Sequence, residues 1–273
     1  MQFSSWKTLA FFSEVLGAVR KDAEKTNLSE AVAQEIEDAV SLIEQSIEGN
    51  AKMKLLVPAL IQDDAQGVAR AMKENGIDVA DSMGLLKVTV IHLAGYYNSR
   101  NTVRFLTEVP HCDINAKTKV GDIPLMFVLY SAQSDNDALS VLRVLLSAKK
   151  ECDCSIQNNN YLFPLCVAIK RNLSKCAQLL SIAPMLAKYK PQDLLYAMKL
   201  ALVNGQDDLV DTIFANMTKE MSKKILTEIK LLPSLRAAMV ETLDFMGRCQ
   251  PREFHVTTYS YTATDSQTKT SSC

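Results

Sequence analysis

The chain has 273 residues, 48% of them apolar, and a net charge of −1 from 30 basic and 31 acidic side chains. It can bury an ample core, but it lacks the positive surface that nucleic acid or an anionic membrane would require, and no stretch is long and apolar enough to span a bilayer. Seven cysteines, an odd number with no C-x-x-C pair, fit a reducing intracellular compartment better than a disulfide framework.

Residues 1–49 predict two helices. From Ser5 to Lys25, Trp6, Leu9, Phe12, Leu16 and Val19 recur at helical spacing. The stretch has no basic leader and is interrupted by Ser13 and Glu14, so it reads as an amphipathic helix and not as a targeting segment. The second helix begins at Asn27, has Glu30 in the capping-box position, and carries Leu28, Val32, Ile36, Val40, Ile43 and Ile47 up to Gly49. Two apolar stripes need cover. A helical hairpin that caps the first unit of the following segment would give it, with dimerisation or a separate binding module as the sharper alternative.

Residues 50–217 are self-similar with a period near 34. The clearest unit reads Thr89-Val90-Ile91-His92-Leu93-Ala94, then Val103-Arg104-Phe105-Leu106, then Asp113-Ile114-Asn115. Others read Gly121-Asp122-Ile123-Pro124-Leu125-Met126 and Phe163-Pro164-Leu165-Cys166-Val167-Ala168. Ala59, Ala94, Val128, Ala168 and Ala201 align as small packing positions, 35, 34, 40 and 33 residues apart. Second helices follow at 67–72, 141–146, 176–180 and 209–214, each with one apolar stripe.

These elements resemble the T-P-L-H-x-A, V-x-x-L-L and D-V-N pattern of the ankyrin repeat family, whose period is about 33 residues. The resemblance implies an all-α ankyrin-repeat solenoid of about 4–5 repeats. Where the family ends its first helix on glycine, this chain has Asp63, Asn98, Ala132, Asn172 and Gly205. Asp and Asn tolerate the left-handed conformation and alanine does not. The unit around Val128 is therefore expected to be distorted, with Ser131 to Asp137 as an extended polar loop.

Residues 218–249 predict a C-terminal helical cap broken near Pro233, burying Ile225, Leu226, Ile229, Leu232, Leu235, Met239 and Leu243. Residues 250–273 form a Ser/Thr-rich tail, with ten Ser or Thr between His255 and Cys273, and such a composition predicts disorder.

No catalytic constellation, metal site or cofactor site is expected. His92 matches the structural histidine of the family pattern, and His111 and His255 stand apart from it. Cys152-x-Cys154 lacks further ligands at zinc spacing. The nine glycines form no phosphate loop, and Ser4-x-x-Lys7 lacks the other elements of a serine acyl enzyme.

The resemblance implies a concave surface lined by the residues after each packing position: Tyr96 and Tyr97, Tyr130 and Ser131, Lys170 and Arg171, then Val203 and Asn204. Tyrosine and arginine there suit a binding hot spot. The expected function is a monomeric, non-enzymatic scaffold that binds a protein partner, with no nucleic acid and no membrane insertion. An enzyme or modifier with its active site in the N-terminal helices is the alternative. Degenerate repeats with a polar end also resemble ankyrin effectors that intracellular bacteria deliver into host cells, and equally a eukaryotic or viral adaptor.

Overall fold

The computed structural model describes residues 27–228 and, ahead of them, residues 16, 17, 19–21, 23 and 24, which are helical. Helix α1 (Leu28–Glu48) precedes five antiparallel pairs: α2 (Ala51–Ile61) with α3 (Ala65–Glu74), α4 (Val90–Tyr96) with α5 (Arg100–Glu108), α6 (Pro124–Ser131) with α7 (Asp135–Leu146), α8 (Pro164–Lys170) with α9 (Ser174–Leu180), and α11 (Pro191–Val203) with α12 (Asp207–Asn216). The short α10 (Ala183–Leu186) links the fourth and fifth pairs, and α13 (Lys219–Glu228) packs on α11. The described residues contain one isolated β-bridge, Met83 to Val88, and no strand. Over the described residues the chain is an all-α array of stacked helix pairs, as the repeats imply.

Its construction follows from local chemistry. Pro124, Pro164 and Pro191 open their helices, where the missing N–H would be unpaired in any case. Four first helices end on a residue with positive φ: Asp63 at 51°, Asn98 at 52°, Asn172 at 55° and Gly205 at 71°. In each case the next N–H turns back to the carbonyl of the aligned alanine: Asp64 to Ala59, Ser99 to Ala94, Leu173 to Ala168 and Gln206 to Ala201, all at 2.9 Å. This is a Schellman closure, which reverses the chain into the second helix without orphaning carbonyls.

The unit around Val128 departs from the others as expected, because Ala132 stays at φ −56°. The departure is shorter than the predicted loop, however. Ser134 accepts a hydrogen bond from the Asp137 N–H at 3.2 Å and starts α7 at Asp135, so the break covers only residues 132–134. A Ser N-cap with acids in the first turn was sufficient to nucleate the helix early.

From α4 onward first helices stack on first helices, and second helices stack on second along the whole row. Acidic residues join the second-helix row: Asp63 accepts from the N–H groups of Asn101 and Thr102, and Asp135 from those of Lys175 and Cys176. On the opposite edge, the Lys119 N–H donates to the Leu86 carbonyl and the Asn159 N–H to the Val120 carbonyl, tying successive hairpins.

Helix α4 comes close to α6 at Gly95, where an added Cβ would lie 2.9 Å from the Pro124 carbonyl oxygen and 3.2 Å from Val128 Cγ2. Alanine gains about 1 kcal/mol of helix propensity over glycine, whereas overpacking a rigid backbone neighbour costs about 1–3 kcal/mol. Gly95→Ala should therefore lower the unfolding free energy by about 1 kcal/mol. A melting temperature at or above the wild-type value would show that this contact is loose.

Two N-terminal expectations change. Asn27 adopts φ 47° and its side chain makes no cap, so the capping box is absent; the left-handed residue instead serves to turn the chain into α1. Nor does α1 stand on the end of the stack. It packs on α2, α6, α8 and α11, across the row of first helices. Most of residues 5–25, most of 218–249 and all of the Ser/Thr-rich end at 250–273 lie outside the described residues.

Candidate interaction surface

Helix α1 has 21 residues, which at 1.5 Å per residue makes it about 31 Å long. Stacked helices lie about 8–10 Å apart, so one such helix can cross three or four units. Its N-terminal end is held by the last two pairs: Lys170 Nζ donates to Ser29 Oγ at 2.6 Å and Ser29 Oγ to Asn204 Oδ1 at 2.9 Å. Just upstream, Arg20 pairs with Asp207 at 2.5 Å. Near its C-terminal end, Tyr96 OH donates to Glu44 Oε1 at 3.2 Å.

Val32, Ile36, Ile43 and Ile47 form the buried stripe of α1. At about 1.5–3 kcal/mol each, they contribute roughly 6–12 kcal/mol before ordering costs. Part of that is offset. Glu35 Oε2 is buried without a partner, and burial, followed by the charge of Asp38, raises its pKa.

The helix changes the standing of the sequence-predicted residues. Tyr130 was expected on the exposed face and is buried, 1% exposed. Its hydroxyl donates to Asp122 Oδ1 at 2.9 Å, and Asn158 Nδ2 donates to the same oxygen at 2.9 Å. A carboxylate 1% exposed needs such donors, and Asp122, eight residues before Tyr130, was the signal in the sequence. Lys170 faces the expected side, but α1 occupies it. Arg171 Nη2 donates to the Ala132 carbonyl at 2.9 Å, serving a unit that lacks the left-handed turn.

What stays open is a cleft of about 690 Å³. Val40 and Glu44 of α1 form one wall; Tyr96, Tyr97 and Asn98, then Ser131 and Gln133, Asp137 and Ser140 of α7, and Arg171 complete it, with Tyr130 at its floor. The rings of Tyr96 and Tyr97 meet edge to face, 5.6 Å between centroids. Burial, then the charge of Glu44, raises both phenol pKa values, so both keep their protons and can donate. Five of the six predicted residues thus line one cleft: Tyr96, Tyr97, Ser131 and Arg171 at its walls and Tyr130 as its buried floor.

The buried titratable groups serve the fold. Nδ1 of His92 accepts from the Thr89 N–H at 3.3 Å and lies 2.8 Å from Thr89 Oγ1, while Nε2 lies 3.2 Å from the Asp122 carbonyl of the next unit. This geometry assigns the proton to Nε2. Burial lowers the His92 pKa to about 4. Cys112, Cys152, Cys154, Cys166 and Cys176 are buried thiols whose pKa values burial raises. Among the described residues no three His, Cys, Asp or Glu are grouped as metal ligands, and no helix is long and apolar enough to cross a membrane.

The class that this geometry defines is a helical-repeat solenoid with its own helix lying along the first-helix face. No family model matches the sequence, and no curated protein matches it. Among solved structures, the chain aligns with the ankyrin repeat domain of Bcl-3, a member of the IkappaB protein family, at 19% identity and a TM-score of 0.45, over 59% of this chain and 70% of that one.

Proposed function

We propose that the protein is a non-enzymatic scaffold that holds a segment of a protein partner in the cleft between α1 and the ends of α4 and α6. The observation that carries this reading is the cleft itself. It brings two edge-to-face tyrosines, an arginine, and the polar groups of Asn98, Ser131 and Gln133 to one opening. Large amphipathic side chains supply contact area at low entropic cost, and the amide and hydroxyl groups can meet a peptide backbone.

The test is a photo-crosslinking residue introduced at Ser131, with Arg143 on the exposed side of α7 as control, in cells that make the protein. A partner should be trapped from position 131 and not from 143. Tyr97→Ala and Arg171→Ala should each weaken its binding by about 2 kcal/mol, roughly thirtyfold; Arg171→Ala should also cost about 1 kcal/mol of stability, because it leaves the Ala132 carbonyl without that donor. Equal trapping from both positions, or a folded double variant that binds with full affinity, would overturn the assignment.

A further inference from the structure

The remainder of the first-helix face is covered by α1, and unpaired polar atoms are concentrated in that cover. Of the six buried side-chain polar atoms without a partner among the described residues, three, Arg20 Nε, Glu35 Oε2 and Ser46 Oγ, fall on the short segment that runs along this face. Glu35 is the only carboxylate among the six, half-buried with one oxygen enclosed. A carboxylate with a buried, unpaired oxygen opposes the docking of the helix that carries it. The charges and dipoles facing it are Asp38 on α1, Tyr130 on α6, Cys166 on α8 and Tyr196 on α11, and none of these is a cation.

The repeats hold the other three such atoms, Asn98 Oδ1, Thr102 Oγ1 and Tyr189 OH, spread over a far longer stretch of chain, and their main ties do not involve α1. Their Schellman turns, the Asp63 and Asp135 caps and the hairpin bonds all run between repeat elements. Helix α1 is also bounded by two joints, the left-handed Asn27 at one end and Gly49-Asn50 before α2 at the other.

Building on the reading of the first-helix face as the binding side, we infer that α1 is a releasable strap. It occupies the face over α6, α8 and α11, and swings out about Gly49-Asn50 to admit a helix of its own chemistry. The resident occupant states that chemistry: an aliphatic stripe spaced as Val32, Ile36, Ile43 and Ile47, flanked by acidic residues. Helix α1 carries Glu30, Glu35, Glu37, Asp38, Glu44 and Glu48 and no basic residue, and the face it meets presents Lys170. Release of the strap would extend the partner site from the cleft to the whole face.

The experiment uses the full chain in three forms: wild type, Glu35→Leu, and the Ser29→Cys/Asn204→Cys double variant, whose oxidation locks the strap where Ser29 Oγ and Asn204 Oδ1 are 2.9 Å apart. Amide hydrogen exchange of α1 should be about tenfold or more faster than that of α6 and α8 in the wild type. Glu35→Leu should slow α1 alone, again by about tenfold or more. A labelled synthetic peptide of residues 27–49 is the binding probe. It should bind the reduced double variant, fail to bind the oxidised one, and bind again on reduction.

Exchange of α1 at the same rate as α6 and α8, with Glu35→Leu moving all three together, overturns the proposal. So does a peptide that does not bind the reduced chain, or that binds the oxidised one equally well. Should Glu35→Leu fail to fold, the lock and the peptide decide alone. Trapping from position 131 in the oxidised lock separates the two readings, since a fixed strap leaves the cleft site intact.

Discussion

Ile36→Asp should lower the unfolding free energy of the chain by about 4 kcal/mol or more and broaden its thermal transition. Ile36 is 3% exposed in the middle of α1. The variant loses the burial of one large aliphatic side chain, about 1.5–3 kcal/mol, and places an unpaired carboxylate in the same contact. The loss has a ceiling, because α1 can undock and hydrate the new charge; the deficit then equals the docking free energy of α1 and no more. Broadening follows from topology. A solenoid is held together through nearest neighbours, whereas α1 contacts α2, α6, α8 and α11 together and couples units that do not touch. Ala31→Asp, on the exposed side of α1, is the control and should shift stability by about 0.5 kcal/mol or less. Circular dichroism with urea and heat reads both variants, and equal effects from the two would refute the packing of α1 described above.

The second large effect is a pH dependence carried by His92. Its folded pKa is about 4, against about 6.5 for an unfolded histidine. Between those values the unfolded chain binds a proton that the folded chain does not, so stability rises with pH through this window and falls as pH drops from about 6.5 towards 4. The shift corresponds to a loss on the order of 3 kcal/mol at the acidic end. Asp122 and Glu35 act in the opposite sense, since burial raises both pKa values and protonation favours their folded forms. The His92 contribution is therefore read as a difference. His92→Asn should be less stable than wild type at pH 7, because it lacks the bridge to the Asp122 carbonyl, yet lose less stability between pH 6.5 and 4. Parallel curves for the two proteins would refute this role.

Much of the scaffold was legible because its rules are local. The alignment of Ala59, Ala94, Ala168 and Ala201 predicted equivalent positions, and each of those carbonyls accepts the same closing bond. Asp63, Asn98 and Asn172 could be assigned left-handed turns because few other residues tolerate them, and Ala132 could be flagged for the same reason. The placement of α1 was not legible. An amphipathic stripe states that a helix needs cover, but the covering surface is assembled from α6, α8 and α11, far away in sequence. The site residues divide along the same line. Tyr96, Tyr97, Ser131 and Arg171 follow from repeat register and line one cleft. Tyr130 has the right register, but the desolvated Asp122 draws its hydroxyl inward.

The helix that crosses the stack also acts as a ruler. Repeat arrays ordinarily gain and lose units freely, since each unit needs only its neighbours. Here the last pairs hold Ser29, and Arg20 upstream of it, while the other end of α1 leads into α2. Each added unit would separate those anchor points by about 8–10 Å and would need about six more residues of helix to span it. Repeat number and strap length are thus one inherited quantity, and duplication of a single unit, harmless in an open solenoid, would here unseat the strap.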